Sequence, residues 1–160
     1  MSETAAASPS DIETERVVLG AILSDQRAMN DAKDILNPIY FADPVHRSIV
    51  TACLNLVEAK KIVAPVTVVQ VLVERDEIDI RSGSAYLADL AVRGTVRGLR
   101  GDVFRLQDLY LRRVLISEAR QMIERASAVE GKQVGFEVLS ATVARLQELR
   151  YKVAKFMGGF

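Results

Sequence analysis

Few residues in this chain of 160 could do chemistry, and they are scattered. His46 is the only histidine. An imidazole acts as a general base only beside a group to deprotonate, and as a zinc ligand only with further His or Cys. No second histidine or cysteine pair accompanies it, so His46 reads as packed or hydrogen-bonded in a helix. Glu13 and Glu15 would suit acid–base work if they converged. At i,i+2 on a helix they point apart. In a first turn carboxylates favour the helix dipole, so both read as structural and solubilising. Gly94, Gly98 and Gly101 follow no strand and lack the spacing of a dinucleotide or phosphate loop. No G-x-x-x-x-G-K-S/T segment occurs anywhere, so no nucleotide is held by that device. Ser10, Thr67, Ser82 and Ser84 read as helix caps, because no His–carboxylate pair accompanies them as a nucleophile requires. Arg93, Arg97, Arg100 and Arg105 are the candidate contacts to DNA phosphates. No aromatic residue is interleaved among the connector arginines to stack a base. The expected catalytic, cofactor and metal sets are empty.

The elements that position these residues read as helices throughout. Ser10 with Glu13 has the form of a capping box opening a helix to about Ser24, with Ile12, Leu19, Ile22 and Leu23 on its apolar face. Gly20, costly inside a helix, points to a close helix–helix approach. Asp25 caps a short helix carrying Met29, Ala32, Ile35 and Leu36, ended by Asn37-Pro38. Asp43-Pro44 is an N-cap followed by proline at the first helical position, and the helix buries Val45, Ile49, Cys53, Leu56 and Val57. Pro65 breaks the chain, and Thr67 with Gln70 caps the run Val68–Leu72. A turn at Gly83 leads to the helix of Tyr86, Leu87 and Leu90.

Residues 93–101 hold three glycines and three arginines and read as a flexible connector. Two long helices follow, about Asp102–Ala128 and Phe136–Phe156, joined by a turn at Glu130-Gly131 as an antiparallel hairpin. The chain is therefore expected to be all-α: a frayed leader over 1–9, a globule of five to six helices over 10–92, the connector, and a hairpin over 102–157. On the first hairpin helix Leu109, Ile116 and Ile123 recur at seven-residue spacing, with Leu111, Leu115 and Met122 around the side. The partner seam reads as Leu139, Val143, Leu146 and Val153. One stripe satisfies the hairpin, and the surplus apolar surface calls for another subunit. The expected oligomer interface is Leu109, Leu111, Leu115, Ile116, Met122, Ile123, Leu139, Val143 and Leu146.

Apolar residues make up 49% of the chain, with 21 basic against 21 acidic residues. That supports a real core and removes the long-range pull on nucleic acid, so DNA contact is expected to be weak. A single cysteine, Cys53, excludes an internal disulfide and fits the cytosol. The N-terminus lacks the basic and apolar regions of a signal peptide. No run approaches the eighteen apolar residues of a membrane span.

Three segments in order carry a family resemblance: Glu13 and Glu15 before Val18-Leu19-Gly20, Phe41 with His46-Arg47, and Gly83 with Tyr86-Leu87 and Leu90. Val66-Thr67-Val68 and the segment Leu111–Ile116 add to them. Together they resemble the N-terminal domain of DnaB-type replicative DNA helicases over about Ser10–Leu149. The resemblance implies a helical globule with a hairpin, pairing through hairpins, and three pairs forming a collar on a hexameric motor. It also implies docking of primase or other replisome proteins, with loaders acting nearby. ATP and magnesium belong to the motor, which this chain lacks, so the chain is expected to be collar and not enzyme. It reads either as part of a longer helicase or as a stand-alone adaptor that keeps the fold. It departs from the family at Pro65-Val66, in the Arg/Gly connector and at Ser140–Val143, changes that bear on the primase partner.

Overall fold

The computed structural model describes residues 8–127 and 134–156, and every regular element among them is helical. The order is α1 Ile12–Ser24, α2 Gln26–Ala32, a 3-10 turn Pro38–Tyr40, α3 Pro44–Glu58, α4 Pro65–Glu74, α5 Ile80–Arg93, α6 Leu99–Ser127 and α7 Val134–Phe156. Two compact units form, one ending at Tyr110 and the other beginning at Leu111, with the division inside α6. The sequence-derived leader (1–9) and Glu130-Gly131 turn lie mostly or wholly outside the described residues.

Capping chemistry sets most helix starts. Asp11, and not Ser10, caps α1 by accepting the Thr14 amide at 3.0 Å. Asp25 caps α2 through the Arg27 amide. That helix stops at Ala32, before Ile35 and Leu36, although Leu36 is still buried. Asp43 accepts the Val45 amide at 2.7 Å, and Pro44 supplies the first residue of α3 as expected. Val45 itself is exposed, because the first turn of α3 lies at the edge of the core. Pro65 opens α4 instead of breaking the chain, and Thr67 sits inside it with its hydroxyl accepting the Ala64 amide at 3.0 Å. Proline is well suited to a first turn, where its missing N–H has no partner to lose. Gly83 is no turn either. It is buried within α5, which Asp79 caps through the Arg81 and Ser82 amides.

The first unit packs around Val18, Leu19 and Ile22 of α1, Met29, Phe41, Ile49 and Cys53, Leu72 of α4, Leu87 and Leu90 of α5, and Leu106 of α6, all essentially without exposed surface. The expected connector shrinks to 94–98, since α5 runs to Arg93 and α6 starts at Leu99. Gly94 packs directly on Gly20, where a side chain on either would overlap the other's backbone. Gly98 has φ +86°, which favours glycine and lets the chain turn into α6. Leu109, assigned above to the hairpin, instead packs half-buried against this core, because the first turns of α6 belong to the globule.

In the second unit Arg145 of α7 bonds Glu118 of α6 at 2.9 Å. The two residues lie about equally far from the link between their helices, which is the pairing of antiparallel neighbours. Among the described side chains of α7, the half-buried ones are Val138, Thr142, Leu149 and Val153. The seam therefore keeps Val153 of the expected set, while Leu139, Val143 and Leu146 face outward.

Candidate functional site

The chain's one histidine sits in a buried hydrogen-bonded relay. His46 Nδ1 lies 2.6 Å from Glu15 Oε2, and His46 Nε2 lies 2.6 Å from the Tyr86 hydroxyl. Glu15 also accepts the Ala42 amide at 2.6 Å and the Asp43 amide at 3.4 Å. The Arg16 guanidinium bonds Tyr86 as well as Glu13, which raises its already high pKa. Arg16 thus donates to Tyr86, Tyr86 donates to Nε2, and Nδ1–H donates to Glu15, a direction assigned from the partners available. A Glu–His–Tyr chain has the parts of an acid–base device. Here Glu15 and His46 have no exposed surface, so no substrate can meet them in the folded globule. The relay ties α1, the loop before α3, α3 and α5 together. Arg47 adds a clamp on the same loop, donating from Nε to the Phe41 carbonyl at 2.6 Å.

This placement keeps Glu15 structural, as its position implied, but not solubilising, because its carboxylate is buried. Only Glu13 of the pair is exposed, bonded to Arg16. Sequence spacing could not show it, because the partner of Glu15 lies 31 residues away. Among the described residues no group of three His, Cys, Asp or Glu side chains is placed to hold a metal ion. No helix there is long and apolar enough to cross a membrane.

One surface with unspent apolar area lies in the second unit. Leu139 is 60% exposed, with Val143 and Leu146 also exposed on the same stripe of α7. Phe136 falls on that stripe as well and is exposed, a residue the sequence reading left out. The stripe is turned by roughly a quarter of the helix circumference from the half-buried one, at 100° per residue. On α6, Leu115, Met122 and Ile123 are exposed, while Leu111 and Ile116 are half-buried.

The four candidate DNA-contacting arginines do not act as a set. Arg93 is paired with Asp89 at 2.8 Å and Arg105 with Asp11 at 2.7 Å. Arg100 lies over the Phe104 ring, 5.9 Å from its centroid, an aromatic contact that the helix creates one turn beyond the connector. Arg97 is exposed.

With this geometry in view, the comparisons with known proteins are decisive. The sequence model of the DnaB-like helicase N terminal domain matches residues 7–96, more than half of the chain. The chain belongs to the DnaB-like helicase N-terminal domain family. A solved structure of the N-terminal domain of DnaB helicase from Mycobacterium tuberculosis superposes with a TM-score of 0.77 at 25% identity, covering 88% of this chain and 99% of that one. The replicative DNA helicase DnaB of Rickettsia felis is 27% identical across 75% of this chain, and that of Geobacillus stearothermophilus 35% identical across 52%. The chain spans only 28% of the length of the Rickettsia felis protein and 18% of the Geobacillus one.

In this DnaB-like domain the three segments that carried the resemblance meet in space. Glu15, His46 and Tyr86 come one from each, and the relay joins them. What read as three separate motifs is one structural bolt.

Proposed function

We propose that this domain works in DNA replication as the collar of a replicative helicase, self-associating through α6 and α7. It would assemble in pairs, and three pairs would make a ring. It would also display docking surface for primase or another replisome protein within the cytoplasmic replication machinery. ATP-driven unwinding, with ATP and magnesium, belongs to a motor outside these residues. DNA contact by the domain itself is weak.

The exposed stripe Phe136, Leu139, Val143 and Leu146 is the observation that supports this most directly. Fully burying such a side chain contributes about 1.5–3 kcal/mol. These four, with Leu115 and Ile123, offset the cost of bringing two chains together. Family membership supports the replication role, and the two arginines already paired inside the chain support weak DNA contact.

Sedimentation velocity over a wide concentration range tests the assembly, with dimers or larger rings expected. A monomer at every concentration overturns it. Capture of the cognate primase by the immobilised domain tests the docking role.

A further inference from the structure

On the globule, the start of α3 and the α4–α5 turn border an open hollow of about 230 Å³, lined by Pro44, Val45, Ser48, Leu72, Glu77 and Ile78. A second hollow, of about 450 Å³, shares Glu77 and Ile78 with it and continues to Ile80. Val45 is 43% exposed and Ile80 57% exposed. Both occupy first turns of helices, where a polar residue would serve the fold as well. Single exposed apolar residues are ordinary, but two that line adjoining hollows make a patch.

The rim has a definite sign. Between residues 74 and 81 the chain carries Glu74, Asp76, Glu77 and Asp79 against Arg75 and Arg81, and all six are exposed. The contact between Arg75 and Glu77 is long, at 3.9 Å. The turn is also set in shape. Asp76 holds φ at 57°, and the Glu77 amide donates to the Leu72 carbonyl at 3.0 Å. A preformed hollow costs little to occupy.

We infer that this hollow is a docking site for a short segment of a partner protein that carries an apolar anchor flanked by lysine or arginine. The carboxylate rim repels nucleic acid and acidic peptides. A second copy using the same face would set like charges against each other, as an isologous contact must. A basic amphipathic segment meets both the apolar wall and the charge, and attraction at the rim speeds its encounter. The inference rests on the reading of this domain as a docking platform, and gives that platform a place and a partner chemistry.

The test uses the full chain and two fluorescent peptides of about 14 residues, with Leu at helical spacing and either Lys or Glu elsewhere. Each carries a photo-crosslinker at its centre. The Lys peptide is expected to bind, to weaken with salt, and to crosslink within 44–48 or 73–80. The Glu peptide is expected not to bind. Ile80→Ser with Glu77→Lys should raise Kd at least about tenfold, and Val45→Ser alone should raise it too, with the thermal midpoint unchanged. Equal binding of both peptides, crosslinks confined to 115–151, or unaltered Kd in the folded variants overturns the inference. Sedimentation of the same samples reads self-association separately, so a silent hollow overturns the docking site and leaves the collar reading standing.

Discussion

Gly20 and Gly94 meet backbone to backbone: a Cβ on Gly20 would overlap Leu90 O and the Cα of Gly94, and one on Gly94 would overlap the Gly20 carbonyl carbon. α1 and the C-terminal end of α5 approach this closely because neither residue has a side chain. Two opposing effects bear on Gly20→Ala. Alanine raises helix propensity by about 1 kcal/mol. The overlap is with backbone, which cannot swing aside, and overpacking costs about 1–3 kcal/mol or more. The clash wins, so Gly20→Ala and Gly94→Ala should each lower the urea unfolding midpoint. A midpoint raised by Gly20→Ala would contradict the close approach.

The buried relay predicts a graded series. Glu15→Gln leaves His46 and two backbone amides facing an amide group that cannot accept all three bonds. Leaving a buried donor without its acceptor costs about 1–3 kcal/mol, and here more than one donor is affected. Tyr86→Phe strips only the Nε2 partner and should cost about 1–2 kcal/mol. A double-mutant cycle between His46 and Tyr86 should return a coupling above about 0.5 kcal/mol. Additive losses would mean the bond contributes nothing.

Two helix caps make the domain sensitive to acid. The Thr14 amide above all, and then Arg105, holds the Asp11 carboxyl below its ordinary value of 3.8. The Ser82 and Arg81 amides do the same for Asp79. A depressed folded-state pKa gives stability that is present above the unfolded value and lost as pH falls through the folded one. Urea midpoints should therefore drop as pH falls from about 5 through the folded-state values below 3.8. Asp11→Asn with Asp79→Asn, which still cap, should flatten that drop. An unchanged slope in the double variant would remove the caps as its cause.

Burial pushes the Cys53 thiol up to about 12, so it is neither ionised nor reachable near neutral pH. A thiol reagent at about pH 8 should label the folded chain only as fast as it unfolds. Labelling should be immediate in denaturant. Fast labelling of the native protein would place Cys53 outside the core.

How much of this was legible in the sequence depended on the range of the signal. Asp43-Pro44 announces α3 within two residues, and the long amphipathic runs announce α6 and α7. Glu15 and Gly94 carried no such local mark. A first-turn carboxylate looks solvated until its histidine is found on another helix, and a glycine beside arginines looks like linker until Gly20 packs on it. The α7 seam failed for a related reason. That helix has two apolar stripes side by side, and only the position of α6 decides which is covered. The fold was therefore readable from local chemistry, while the bolt and the outward stripe required long-range contacts.

That choice of stripe supplies a test separating assembly from stability. Leu109 packs half-buried on the globule core, whereas Leu139 is 60% exposed on α7. Leu109→Ala should cost about 1–3 kcal/mol in unfolding and leave self-association intact once folded. Leu139→Asp with Val143→Asp should do the reverse. Exposed helix positions tolerate such changes within about 1 kcal/mol. Loss of two central contacts should weaken association by at least about 30-fold, the scale of an interface hot spot. Sedimentation and urea unfolding on both variants read the two quantities independently. If Leu109→Ala dissociates the assembly while Leu139→Asp with Val143→Asp does not, the interface lies on the globule end of α6, and the outward stripe of α7 is not the collar contact.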